Sequence, residues 1–222
     1  MRLGPFVGGV GEYLADATAL EAAGADTLWL LEESPAGSGT EASPWPVLGA
    51  LAMVTSRVRL GCVVREPGRW RADLIGPVLQ SLDRLTRGRL VIAVGAAGCE
   101  HLLDDLVDRL RGRDGRLLFV EADAEAGYDL VVRTAGGLVY TGETADGAAA
   151  AVARVRDAGG PGFEAWAVIR LPASRTAWRE TLDSYGATGV IGVIVDNDPR
   201  LLDLVRNADL EDDRSDLALA SG

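Results

Sequence analysis

Short apolar runs recur along the whole chain, each followed by a longer amphipathic segment, and this alternation restricts the fold more than any single motif does. Residues 3–7, 26–31, 58–64, 90–94, 117–122, 138–141, 165–171 and 190–195 read as strands whose apolar character on both faces suits a parallel sheet covered by helices. Between and after them, residues 12–23, 44–54, 72–87, 99–111, 124–134, 145–158, 175–185 and 201–205 read as helices. The run YDLVVRT inside 124–134 suits a strand equally well by propensity. Helix is preferred there, because a strand would follow its neighbour without a crossover. The alternation predicts an α/β protein with a (β/α)8 TIM-type barrel; an open doubly wound sheet is the other arrangement it permits. At 222 residues the chain is short for a barrel, which typically needs about 250. With no long insertion, the shortage falls on loops and helices of the second half. A single barrel domain over residues 1–207 and an acidic C-terminal tail over 208–222 are expected.

Local chemistry sharpens several boundaries. Ser43 is placed to cap the helix that Pro44 begins, and Thr144 to cap the next-to-last long helix. Gly88 is placed as a left-handed terminator after 72–87, and Gly136 and Gly137 as a cap after 124–134. Trp29, Trp45, Trp166 and Trp178 are core or interface candidates. Trp70 lies just beyond the third strand among Arg65, Arg69 and Arg71, the one local cationic cluster that could meet an anionic ligand at a barrel mouth.

Composition removes whole classes of function. A formal net charge of −11 leaves no concentrated basic surface for a phosphate backbone, so no nucleic-acid partner is expected. No stretch is apolar enough to cross a membrane, and the N-terminus MRLGPFVGG lacks the apolar core of a signal peptide, so a cytoplasmic location is expected. Cys62 and Cys99 form no disulfide framework. No cluster of His, Cys and carboxylates has metal-ligand spacing. All 22 basic residues are arginine, which removes Schiff-base chemistry on lysine.

Three stretches of the first half, EAAGADTLWLLEE, ASPWPVLGALAMVTSRVRLGCVV and SLDRLTRGRLVIAVGAAG, resemble the bacterial-luciferase-like family of flavin- and deazaflavin-dependent oxidoreductases, whose members are (β/α)8 barrels. Fainter likeness continues through LLFVEADAEAGYDLVVRTAGGLVYTG and DGAAAAVARVRDAGG. The resemblance implies an oxidoreductase or monooxygenase that holds FMN or a deazaflavin at the barrel mouth and acts on a small organic substrate. It also implies a homodimer, or a heterodimer with a homologue. The bare loop Gly95, Ala96, Ala97 and Gly98 then reads as backbone lying close to a planar ring. Cys62, Val63 and Val64 match the place where family members carry a non-prolyl cis peptide under that ring. Where deazaflavin-using relatives have Asp-His, this chain has Glu32-Glu33, so Glu33 becomes the candidate acid, provided that burial raises its pKa from about 4.3. His101, the only histidine, is placed in the first turn of the helix after the fourth strand and is the second candidate catalytic residue, with an exposed polar role as its alternative.

One departure bears on the cofactor. Relatives use a glycine-rich loop after the fifth strand to hold the cofactor phosphate; here the residues are Glu121-Ala122-Asp123-Ala124-Glu125, good capping chemistry for a helix start but repulsive to phosphate. A degenerate, non-catalytic barrel serving as a binding protein or partner subunit is therefore the alternative function.

Overall fold

Eight strands carry the fold: β1 (Arg2–Pro5), β2 (Thr27–Glu32), β3 (Arg59–Val64), β4 (Leu90–Gly95), β5 (Leu118–Ala122), β6 (Gly137–Tyr140), β7 (Glu164–Val168) and β8 (Gly192–Val195). Around them lie α1 (Tyr13–Ala23), α2 (Pro44–Val54), α3 (Ala72–Thr86), α4 (Glu125–Thr134), α5 (Ala145–Arg156), α6 (Arg175–Gly186) and α7 (Leu201–Arg206). The structure, a computed structural model, describes residues 1–7, 13–32, 43–65, 71–96, 118–122, 125–134, 136–157, 163–196 and 198–207. The expected helix 99–111 and the tail 208–222 lie outside them. YDLVVRT is helical, within α4.

All strand pairs are parallel and run in the order β1-β8-β7-β6-β5-β4-β3-β2. The two ends of that sheet meet through a single bridge, Phe6 to Trp29. The Val7 N–H donates to the Trp29 carbonyl at 2.7 Å and the Asp26 N–H to the Leu3 carbonyl at 2.8 Å. The Leu3 N–H, which has no ladder partner here, donates to the Asp26 carboxylate at 3.0 Å. The sheet is thus a nearly closed barrel, and the open doubly wound sheet is excluded.

Side chains alternate across each strand, as pleating demands. Leu28, Leu30, Leu60, Cys62, Ile92 and Val94 face the helices in the outer core. Trp29, Val63, Ala93, Phe119, Val139, Trp166 and Ile194 fill the barrel itself. Trp29 meets Phe119 and Trp166 edge-on, each with ring centroids 6.3 Å apart. Room for these rings comes from glycines on neighbouring strands. A Cβ at Gly61 would stand 2.4 Å from the Trp29 ring, one at Gly192 2.5 Å from Trp166, and one at Gly137 2.5 Å from Phe119. Gly137 is therefore the first residue of β6 rather than a helix cap.

The amino-terminal end of the barrel is sealed by charge. Glu164 pairs with Arg59 at 2.7 Å and with Arg2 at 3.0 Å, while the Arg59 guanidinium lies 5.4 Å from the Trp166 ring centroid. Burial tends to raise the Glu164 carboxyl, but Arg59, the Trp166 N–H and Arg2 outweigh it and hold it below the usual carboxylate range.

At the same end, the turn from α2 to β3 is held from both sides. The N–H groups of Ser56, Arg57 and Val58 donate to Glu21 of α1 at 2.9, 2.7 and 2.9 Å. Arg89 donates to the carbonyls of Ala52, Thr55, Val58 and Thr86 and to the Thr55 hydroxyl, at 2.8 to 3.3 Å. The unpaired carbonyls at the end of α2 are thereby satisfied by a cation, which also suits the helix dipole. Just before Arg89, Arg87 (φ +58°) and Gly88 (φ +78°) end α3 in left-handed backbone, and the Gly88 N–H donates to the Asp83 carbonyl at 2.9 Å. The LDRLTRGR stretch is in this way a device for building the floor of the barrel.

Two expected caps separate. The Thr144 hydroxyl accepts from the Gly147 N–H at 3.1 Å and caps α5. Ser43 precedes α2 without a side-chain cap bond. With proline at positions 44 and 46, the first and third residues of that helix have no N–H to give.

Candidate active site

The carboxyl ends of the strands form the mouth, the end at which barrels of this type place their ligands. Two unlike halves make it up. On the β1, β2 and β7 side, Phe6, Leu31 and Val168 are only partly buried and pack on the interior cluster, with Val63 and Ile194 fully buried among them. Trp29 and Trp166 close the barrel below. Together these side chains make an apolar shelf on the packed interior. Thr141, the residue after β6, is partly buried and by alternation falls on the inward side with Val139.

On the β3 to β5 side the mouth is polar. Glu121 is 8% exposed and follows the inward alternation of β5 after Phe119. Its Oε1 accepts from the Nε and Nη2 of Arg65, both at 3.3 Å. Glu121 is thus not a helix cap, as its place in a run of acids suggested; alternation on a short strand turns it into the barrel. Arg65 follows β3 and crosses over Gly95, whose register partner is Glu121. A Cβ on Gly95 would lie 2.8 Å from the Arg65 carbonyl oxygen. The glycine is explained by that main-chain approach, and the space above it belongs to Arg65.

The remaining expected site residues distribute as follows. Val63 faces the interior and underlies the shelf. Cys62 and Val64 face the helices, 0% and 4% exposed, so their side chains do not line the mouth. Burial pushes the Cys62 thiol well up, and the neighbouring Glu32 charge adds to the effect, leaving a neutral and inert thiol. Glu32 stands on this helix-facing side of β2, while Leu31 points in. The Val63-Val64 peptide is trans, as is every other peptide bond among the described residues. Both valines pair in register with Ala93 and Val94 of β4, and a cis bond would interrupt that ladder. Ala96 is partly buried, its N–H donating to the Glu121 carbonyl at 3.2 Å. Glu33, Ala97, Gly98 and His101 lie outside the described residues, as do Arg69 and Trp70. Arg71 is exposed and pairs with Asp73 at 2.8 Å.

The Arg65–Glu121 pair is the feature that sequence reasoning missed. Arg65 stood out as a cation, but β5 is buried on both faces and gives no alternating pattern from which its inward positions could be read.

A family model described as luciferase-like monooxygenase matches residues 7–117, half of the 222-residue chain. The chain belongs to the luciferase-like monooxygenase family. Solved structures agree on the fold. The coenzyme F420-dependent tetrahydromethanopterin reductase of Methanopyrus kandleri superposes with a TM-score of 0.69 at 10% identity, covering 92% of this chain and 96% of that one. Monooxygenase RslO1 of Streptomyces bottropensis gives 0.58 at 15% identity over 86% and 80%. The oxygenating constituent of 3,6-diketocamphane monooxygenase from Pseudomonas putida, in complex with FMN, gives 0.60 at 10% identity over 84% and 73%. No curated protein matches the sequence. Among the described residues no helix is long and apolar enough to cross a membrane, and no group of His, Cys, Asp and Glu is arranged to hold a metal ion.

Proposed function

We propose that this barrel is a flavin- or deazaflavin-dependent oxidoreductase that binds the flat ring of its cofactor on the Phe6, Leu31 and Val168 shelf. The observation that carries the reading is the shelf itself: partly buried apolar side chains at the catalytic end of the barrel, over a floor filled by two tryptophans. The bound ring would supply hydride transfer or oxygen activation. The chain would supply orientation, through the shelf and Thr141, and a dry underside, through the packed interior. Glu33, beside this site in sequence, is proposed as the proton donor and His101 as a second acid–base group.

The fit to the cofactor is divided. The shelf suits a ring. For a phosphate, each guanidinium among the described residues at the mouth already faces a carboxylate: Arg65 faces Glu121 at 3.3 Å and Arg170 faces Glu143 at 3.6 Å. Titrating the purified protein with FMN, riboflavin and a deazaflavin coenzyme in both redox states tests the reading. Binding of any of them supports it. Binding of none refutes it and favours the non-catalytic partner-subunit role.

Self-association is proposed through α2 and α3. Helix α2 carries no charged side chain, yet Met53 near its end is 78% exposed, and Leu74 in the first turn of α3 is 63% exposed. Val78 and Leu85 continue the apolar stripe on α3. Sedimentation equilibrium should show a dimer that Met53→Glu combined with Leu74→Glu converts to monomer; a wild-type monomer at tens of micromolar sinks the idea.

A further inference from the structure

Resting on the reading that the mouth seats a flavin-type ring, we propose that the barrel opens locally at the seam between β1 and β2, and that a ring seated across Phe6 and Leu31 suppresses this opening. Along the other seven strand junctions the ladder runs through three to six successive register pairs, whereas β1 and β2 share the one bridge from Phe6 to Trp29 among the described residues. The sequence supplies a reason. That bridge sets Gly4 opposite Thr27, and a parallel ladder would draw its next donor from residue 5. Residue 5 is proline, which has no N–H to give. Below that rung the Asp26 N–H donates to the Leu3 carbonyl at 2.8 Å, and the Leu3 N–H turns to the Asp26 carboxylate at 3.0 Å instead of to a carbonyl. Asp26 is only partly buried, so water competes for that carboxylate.

A second observation lies in the interior beside the seam. The Trp29 Nε1–H is buried without a hydrogen-bond partner, and a Cβ on Gly4 of β1 would stand 2.6 Å from that nitrogen. An orphaned buried donor penalises the closed state, and parting β1 from β2 gives it water, so opening here is less unfavourable than at any fully paired junction. The plug does not depend on the seam: the six-membered ring of Trp29 lies against Gly61 of β3, and Trp166 against Gly192 of β8. The seam also runs up to the shelf. Phe6 stands on one side of it and Leu31 on the other, both partly buried and packed on the interior cluster. A flat ring resting on both touches the two strands at once only while they are together, so its binding favours the joined state.

Hydrogen exchange of backbone amides, resolved by NMR on the full-length protein, tests this. The Val7 and Asp26 amides donate across the seam, at 2.7 and 2.8 Å; those of Phe6 and Leu60 donate across joined strands, to Val195 and Arg89 at 2.7 and 2.9 Å. After correction for intrinsic rates, the first pair should exchange about tenfold or more faster than the second. Phe6 controls for fraying of the chain end, which would release it together with Val7. Equal exchange of the two pairs overturns the seam while leaving the ring site intact. Pro5→Ala, which supplies the missing donor, should slow Val7 and Asp26 relative to Leu60, and an unaltered ratio overturns this account of the seam. If Pro5→Ala does not fold, the wild-type exchange decides alone. Saturating riboflavin or FMN should slow Val7 and Asp26 relative to Leu60 by about threefold or more. Flavin binding that leaves the ratio unchanged overturns the coupling. Binding of neither flavin refutes the ring site itself, and the coupling falls with it, whereas the seam stands or falls on the free protein.

Discussion

Replacing Arg89 should damage this protein more than replacing any residue of the mouth, although Arg89 lies at the opposite end of the barrel. Its guanidinium donates five hydrogen bonds, and the acceptors are unequal. Those of Thr55 and Val58 belong to residues that are 6% and 2% exposed, so water cannot readily replace the donor there. Those of Ala52 and Thr86 belong to helix ends, and the Thr86 carbonyl, although its residue is fully buried, keeps the Arg89 main-chain N–H at 3.3 Å. Leaving two buried acceptors unpaired costs roughly 1–3 kcal/mol each, and the loss of a cation at the α2 terminus adds about 0.5 kcal/mol. Arg89→Ala should therefore lose about 2.5–6.5 kcal/mol in urea or guanidinium unfolding at neutral pH, and its melting temperature should fall by about 5–26 °C for a chain of this size. Arg89→Lys keeps the charge but replaces a planar fork by a point, and should recover less than half of the loss. A loss below about 1 kcal/mol for Arg89→Ala would show that water substitutes for the guanidinium and would refute the assignment of these bonds as the clamp of the barrel floor.

Other consequences can be measured separately. The carboxyl of Glu21 is drawn up by burial but held lower overall by the Val58, Arg57 and Ser56 amides and the Arg57 charge, so its folded pKa lies below its unfolded one. Its contribution is then complete above the unfolded value of about 4.3 and is lost as pH falls through the folded value. Glu21→Gln should cost about 1 kcal/mol at pH 7, a figure kept small by solvent screening, and the gap to wild type should shrink by pH 3; a gap independent of pH contradicts the argument. Gly61→Ala should lose about 1–3 kcal/mol by forcing a methyl against the Trp29 ring, and a smaller residue at position 29 should relieve part of that loss in a double-mutant cycle. Additivity of the two changes would show that the ring and the glycine do not share the space. With a cofactor bound, Glu33→Gln should abolish turnover without weakening ring binding; turnover equal to wild type removes Glu33 as the acid.

The strands, and the barrel they form, were legible because burial on both faces leaves continuous apolar runs such as LVIAV, which only a covered parallel sheet explains. The same property hid the site. On a strand apolar on both sides no pattern says which residues point inward, so Glu121 read as a cap and Cys62 and Val64 read as mouth residues beside Val63. Glu21 and Arg89 went unread for a different reason. Their partners are main-chain amides and carbonyls of a turn, and backbone groups leave no mark in a sequence. Gly95 was read as backbone lying close to a planar ring, whereas the group that approaches it is the Arg65 main chain, 2.8 Å from where a Cβ would stand.

The interior then explains how a chain shorter than a typical barrel still presents a firm site. Three large rings, Trp29, Phe119 and Trp166, each sit beside a glycine on a neighbouring strand, Gly61, Gly137 and Gly192. One ring spanning the width that two medium side chains would share fills the barrel with few residues, and edge-to-face contacts at 6.3 Å fix the rings against one another. Because this plug and the Arg2–Glu164–Arg59 seal below it are complete without any ligand, the mouth is not needed to hold the barrel closed. Side chains such as Glu121 and Arg65 can then differ among barrels of this design at little cost to folding, provided that the ring–glycine pairs beneath them are kept. Exchanging Glu121 should therefore leave the unfolding midpoint far less changed than exchanging Arg89 does.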